Sequence, residues 1–447
     1  MNKKSILLVF IVYFFTIISG MAAVKKIHVP EKQKKENSFG PDGRFSLDYK
    51  AESENLVLLW EKSFGKSPET YSNVSRRFYP QEILEEGERF YKYYVEKLKF
   101  SDKKNSHGAT KKMIIWMYND DTSTAYGWGD EGVGMMWMRP CRTNSYPYCA
   151  LAHEMGHSFQ YLVSADGNRS FTGSPLVEYT SQWMLWQVYP DWLTLEKFHL
   201  DAYMNQTHYS LFNEINQYHG PQFMEYWASK HGTDIISRVW KEAIGKEDPV
   251  AAYKRITGIG QKEFNDEIYD AASKFITWDL KRIREACSSY ANQHTCKMEK
   301  NESGWYRINQ SRCPQNYGYN AIRLNVPKGG TKVELDFEGI SGNGDYRAVH
   351  TDKAGWRYGF VAVTLNGKRI YGDMNTGRNG ANETVSFTVP ENTQFLWLVV
   401  TGAPTEHFDF YKKWNELKKE KGKEAQWPYR IRLHGTNLHK SVTNTKS

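Results

Sequence analysis

Apolar and polar positions along this chain follow two textures that change near residue 300. Between Ile83 and Leu98 apolar residues recur at steps of three and four with charges between them, the period of a helix buried along one stripe. Residues 112–118 form a short β-branched and aromatic run and predict a buried strand. A Gly-rich stretch at 127–132 predicts a turn, and the apolar run 133–138 a strand near the surface. Helical patterns follow at 150–163 and, after a Gly/Ser/Asn loop at 165–174, at 176–188, then at 220–230, 234–244 and 261–284. Beyond residue 300 come short strand-like stretches at 333–337, 358–365, 384–389 and 395–400, separated by Gly, Asn and Pro, the pattern of a β-sandwich. Residues 414–426 carry many Lys and Glu and read as a solvated helical excursion between strands.

These textures divide the chain into an α+β domain over 55–298 and a β-sandwich over 299–436, with a flexible, Lys-rich lead-in at 24–54 and a frayed tail at 437–447. The 447 residues are 40% hydrophobic and 25% charged, enough apolar material for true cores. Aromatics reach 15%, with 15 Trp and 29 Tyr, which suits binding surfaces as well as cores. A net charge of +8 with no basic stripe sets nucleic acid aside as a partner.

The first 23 residues read as a signal peptide. Lys3 and Lys4 precede an apolar run from Ile6 to Ile18, and Gly20, Met21, Ala22 and Ala23 supply a cleavage site. The run is short for a membrane span, so the expected product is secreted or periplasmic, with no span left after cleavage. In that oxidising compartment Cys141–Cys149 is one plausible disulfide, and Cys287, Cys296 and Cys313 leave three pairings open.

The chemistry concentrates at residues 150–160, ALAHEMGHSFQ, which contain H-E-x-x-H. Residues four apart share one helix face, so His153 and His157 can turn imidazole nitrogens toward one metal ion. Glu154 is offset by one residue, so its carboxylate can reach the open coordination side and take a proton from the attacking water. A catalytic zinc needs a third protein ligand. Glu178 stands 21 residues after His157 on a second helix opened by Ser174 and Pro175, among Leu176, Val177, Trp183 and Trp186, where an unpaired carboxylate is costly.

The motif with its downstream Glu178 resembles the gluzincin branch of the zincin metallopeptidases. Gln160 and Val163 stand where the metzincin branch has Gly and His, which excludes that branch. Thermolysin-like gluzincins carry N-E-x-x-S-D around the glutamate. Here Val177 replaces the Asn and Gln182 the Asp, while Ser181 matches, so orienting a zinc-bound His passes to Gln182, a backbone carbonyl or another residue. The resemblance implies a zincin-like metallopeptidase domain, with a jelly-roll-like sandwich appended to it as in secreted bacterial zincin-like proteins of unknown function. It further implies a small sheet whose edge strand, expected at 133–138, pairs with an extended peptide. A Cys141–Cys149 bridge would then staple the loop between that strand and the zinc helix. Gluzincins also use a Tyr or His on the developing oxyanion. Tyr218 is the first candidate, and Tyr203, His208, Tyr209 and His219 are the others.

The expected function is a secreted zinc metallopeptidase acting on proteins or glycoproteins, with Zn2+ held by His153, His157 and Glu178 and Glu154 as general base. The alternative is a surface- or glycan-binding protein whose zincin domain is a scaffold with little activity. In that reading Trp305, Trp356, Trp397 or Trp427 of the C-terminal domain stacks on sugar rings, although three of the four lie in apolar runs that suit a core.

Overall fold

The computed structural model describes residues 24–168, 171–301, 304–409, 412–420 and 424–443. The expected leader lies outside them. Over the described residues the fold is mixed α+β and builds on three five-stranded sheets.

The first sheet comprises β1 (Lys50–Glu52), β2 (Leu56–Trp60), β3 (Met113–Met117), β4 (Tyr126–Asp130) and β5 (Val133–Met138), in the order β1-β2-β3-β5-β4. Strands β2, β3 and β5 run parallel, and β2 and β3 are buried at every position, as strands covered on both faces must be. One face packs on the helices α2 (Pro80–Glu96) and α3 (Cys149–Ala165). Chain 24–54 covers the other. It contributes α1 (Glu31–Glu36) and β1, and it buries Val29 and Phe45 against Val57, Leu59, Ile114, Trp116 and Met135. The flexible lead-in expected from its lysines is therefore a folded part of the domain. Val29 and Phe45 are the apolar residues that close the sheet, while most of its charged side chains face solvent.

The edge strand is not the one expected. Val133–Met138 lies inside the sheet, and the edge is Tyr126–Asp130, antiparallel to it. The glycines that suggested a turn serve close packing instead. A Cβ on Gly127 would stand 2.1 Å from the Glu154 carbonyl oxygen, and one on Gly129 would stand 2.1 Å from the Tyr161 ring. The turn itself is only Glu131-Gly132, both at positive φ, which is how a two-residue hairpin matches strand twist.

Helices α4 (Leu176–Val188), α5 (Trp192–Leu195), α6 (Lys197–Asn205), α7 (Gln222–His231), α8 (Ile235–Glu242), α9 (Pro249–Thr257) and α10 (Gln261–Phe275) complete this half. The last ends well before residue 284, where the pattern had placed its end.

Ten strands follow: β6 (Met298–Lys300), β7 (Tyr306–Ile308), β8 (Tyr319–Leu324), β9 (Lys332–Gly339), β10 (Gly355–Thr364), β11 (Arg369–Tyr371), β12 (Asn375–Arg378), β13 (Asn382–Thr388), β14 (Thr393–Gly402) and β15 (Tyr429–His434). They form a sheet β11-β10-β14-β8, with β12 also on β10, and a sheet β13-β9-β15-β7-β6. Both contribute to one core that holds Ile322, Leu335, Phe337, Trp356, Leu398 and Ile431. The outer face of the first of these sheets is buried too. Tyr319, Ala321, Val361, Trp397 and Val399 join the core of the helical half. A Cβ on Gly359 would stand 2.3 Å from the Tyr269 hydroxyl, and Arg357 Nε donates to Asp266 Oδ1 over 2.8 Å. Strand β10 is consequently buried at all ten positions.

The structure also places the tail, the tryptophans and the cysteines. The tail is not frayed over its described part, because Leu438 bridges Leu324 and Thr443 bridges Met298. The Trp side chains offered for sugar stacking are inside: Trp356, Trp397 and Trp427 are fully buried, and Trp305 lies beneath the guanidinium groups of Arg430 and Arg432. All five cysteines are free. Cys141 is exposed, with its Sγ on the Thr122 carbonyl, while Cys149 is buried at the start of α3. Cys287 belongs to the helical core, whereas Cys296 and Cys313 belong to the sandwich core. No helix among the described residues is long and apolar enough to cross a membrane.

Candidate metal centre

The helix α3 carries His153 and His157 one turn apart, and α4 crosses it closely enough to bring Glu178 between them. Gly156, inside the H-E-x-x-H run, permits that approach, since a Cβ there would stand 2.7 Å from Ser181 Oγ. His153 Nε2 lies 3.0 Å from His157 Nε2, and Glu178 Oε2 lies 3.1 and 3.2 Å from the two nitrogens. Among the described residues this is the one group of three His, Cys, Asp or Glu side chains whose ligand atoms converge.

The hydrogen bonds behind the rings assign the ring protons. Gln182 Nε2 donates to the Tyr218 carbonyl, so Gln182 Oε1 accepts from His153 Nδ1 at 2.9 Å. Gln160 Nε2 donates to the Val177 carbonyl, so Gln160 Oε1 accepts from His157 Nδ1 at 3.1 Å, with Ser181 Oγ 3.0 Å from the same nitrogen. Each Nδ1 thus bears a proton and each Nε2 presents a lone pair. Two lone pairs and a carboxylate oxygen meet with no hydrogen-bond donor between them, an arrangement stable only around positive charge. Four donors about 2.0–2.1 Å from a tetrahedral zinc stand about 3.3 Å apart, so the observed triangle fits that ion.

A proton can fill the same role. Burial works against a charged His157, but the Glu178 hydrogen bond and the Glu178 and Glu154 charges raise it to about 9. Burial likewise opposes the Glu178 charge, yet His153 and His157 hold that carboxyl far below the ordinary range.

The triad opens into a cleft of about 370 Å³. Glu154 lines it beside the ligands, with Tyr126 and Trp128 from β4, Tyr218 and, from the C-terminal half, Trp414. Of the oxyanion candidates only Tyr218 reaches this cleft, its ring centroid 6.3 Å from that of His153. Burial, then the Glu178 and Glu154 charges, raise its pKa, so its hydroxyl stays a proton donor. Tyr203 is packed among Trp278 and Tyr319, His208 lies tilted against Tyr209, and His219 Nδ1 faces His199 Nδ1 at 2.7 Å. Tyr126 and Trp414 went unrecognised in the sequence. The first was hidden by the glycines around it and the second by the charged run it sits in.

Fold and site together define a mixed α+β protein with a convergent His/His/Glu triad at the mouth of an aromatic cleft. The chain belongs to a family of unknown function (DUF6055), whose model matches residues 19–440. No curated protein matches it. Solved structures similar to part of it include a Yersinia pseudotuberculosis-derived mitogen, at 10% identity over 34% of this chain and 92% of that one, with a TM-score of 0.19. They also include the C-terminal family 22 carbohydrate-binding module of Clostridium thermocellum Xyn10B, at 12% identity over 33% and 87%, TM-score 0.20. A xylan-binding domain from the same module family matches at 12% identity over 32% and 85%, TM-score 0.20. Likeness at that level assigns this chain neither fold nor ligand.

Proposed function

We propose that this protein is an exported zinc-dependent peptidase of the gluzincin type that cleaves proteins or glycoproteins. The observation that carries the reading is the convergence of His153 Nε2, His157 Nε2 and Glu178 Oε2 within 3.0–3.2 Å, beside a Glu154 that lines the same cleft.

His153, His157 and Glu178 hold the ion, with Gln182, Gln160 and Ser181 fixing the ring orientations. The chemistry zinc supplies when bound is Lewis acidity, which polarises the scissile carbonyl and acidifies the attacking water. Glu154 takes the proton from that water and passes it to the leaving amine. The Tyr218 hydroxyl, kept protonated by burial and its acidic neighbours, donates a hydrogen bond to the developing oxyanion. The free edge of β4 offers backbone groups to an extended substrate, with Tyr126 and Trp128 on either side of Gly127.

The test is metal content and peptide cleavage of the purified chain. The reading expects about one zinc per chain, lost in His153→Ala and Glu178→Ala. It also expects cleavage of a mixed peptide library that disappears in Glu154→Gln while zinc is retained. A wild-type chain that binds no zinc when supplied with it overturns the reading.

A further inference from the structure

The run 412–417 is the solvated helical excursion that the sequence predicts, with residues 413–416 exposed, but one of its side chains has a further contact. Helix α11 (Trp414–Glu420) lies in the connection between β14 and β15 of the sandwich, yet its first residue lines the cleft of the helical half. Two hydrogen bonds hold it there. The Trp414 backbone N–H donates to the Gly173 carbonyl over 3.0 Å, and the indole Nε1–H donates to Gln217 Oε1 over 3.1 Å. Gly173 lies just before the helix that carries Glu178, and Gln217 just before Tyr218. The anchors of the indole are thus the two segments that frame the metal site. With its N–H engaged, the ring presents only its apolar surface, and 37% of the residue stays exposed.

The rest of the cleft has the same character. Tyr126 and Tyr218 are more than a third exposed, and among the described residues the ionisable side chains that line it are Glu154 and the ligand set His153, His157 and Glu178, with Tyr126 and Tyr218. On the peptidase reading both carboxylates are occupied with catalysis, one as base and one as ligand. Among the described residues no lysine, arginine or aspartate lines it to pair with a charged substrate side chain. An aromatic enclosure without a free counter-charge favours large neutral side chains and disfavours ionised ones, whose desolvation nothing repays.

We propose that Trp414 is a specificity residue of the cleft. Contributed by the sandwich, it forms the wall of a subsite for an aromatic or large apolar side chain next to the scissile bond. The inference rests on the peptidase reading and deepens it. It also gives the second domain a part in substrate choice that a tethering module does not have.

The test compares wild type with Trp414→Ala, Trp414→Phe and Gln217→Ala on matched peptides that carry Phe, Ala or Glu beside the cleaved bond. The assignment expects kcat/KM for the Phe peptide to fall about tenfold in Trp414→Ala, mainly through KM, and for the Ala peptide less than about twofold. Trp414→Phe keeps the preference for Phe, and Gln217→Ala, which frees the indole, weakens it. A readout independent of turnover is calorimetric binding of the Phe peptide to metal-free Glu154→Gln, which adding Trp414→Ala weakens by a similar factor. If Trp414 merely pins the excursion, Trp414→Ala lowers all three peptides alike and the Phe-to-Ala ratio stays constant, which overturns the assignment and leaves the peptidase reading standing. If the zinc-loaded wild type cleaves no member of a mixed library, the peptidase reading falls and takes the assignment with it.

Discussion

Gln182 shows how a departure from the pattern that the motif resembles is met by its neighbours. It stands where thermolysin-like proteins have an aspartate, and a neutral amide accepts from His153 Nδ1 only if its own NH2 group is aimed elsewhere. The Tyr218 carbonyl supplies that target. Gln182→Leu is expected to leave the fold intact and weaken zinc binding about 10–100-fold, measured by competition with a chelator. The proton on His157 makes a second prediction. Because that group titrates at about 9 without metal and must be neutral to bind it, zinc loading releases close to one proton per ion at pH 7. Apparent affinity therefore rises about tenfold per pH unit up to that value and then levels off. Calorimetry in buffers of different ionisation enthalpy reads the proton count directly. The histidines and Glu154 were legible because a helix maps spacing onto a face. Tyr126 and Trp414 were not, since nothing local to either says what it faces.

Segment 127–132 and helix α3 illustrate how a glycine misleads. In sequence, Gly127 and Gly129 signal a turn. In the structure they sit in a strand, because the helix that carries His153 and His157 passes so near that no side chain fits. Gly156 plays the same part between α3 and α4. Gly156→Val is expected to push α4 outward, drawing Glu178 from the histidines without touching a ligand. Zinc affinity should fall at least tenfold while the far-ultraviolet dichroism stays close to wild type. Retained affinity would show that the crossing tolerates the added bulk. Elements with a strong period, such as Pro80–Glu96 and Leu176–Val188, were read near their observed bounds. The shorter β8 and β15 were missed, because their polar residues at 320, 323, 430 and 432 dilute the apolar signal.

The sandwich and the helical half share a buried seam, with polar groups inside it. His294, fully buried, bonds the Tyr319 hydroxyl through Nε2 at 2.9 Å, and burial pushes its pKa down to about 3. The folded value lies below the unfolded value of 6.5, so this residue contributes stability above about pH 6.5. That contribution is lost as the pH falls toward 3, at about 1.4 kcal/mol per unit. Denaturant midpoints at pH 7 and pH 5 are expected to show this slope on top of that from the buried His199 and His208, and His294→Gln should reduce it by about that amount. The N-terminal segment makes a second prediction. A chain starting at residue 55 bares Val57, Leu59, Ile114, Trp116 and Met135, and it is expected to aggregate or melt far below the chain starting at residue 24. A soluble, stable truncation would mean that the segment is removable, as a propeptide is.

Periodicity and spacing were enough to place the strongly periodic helices, the change to strands near residue 300 and the H-E-x-x-H helix, because each is a local pattern that repeats with the geometry of its own element, whereas the short helices at 31–36, 192–205 and 249–257 were not read. Glu178 was within reach only because a motif pointed to it. The strand at the sheet edge, the segment that seals its second face and the tryptophan that crosses from one half to the other depend on which distant surfaces meet. Close packing decides those contacts, and a Cβ that does not fit or an indole that finds a carboxamide leaves no trace in its sequence neighbours.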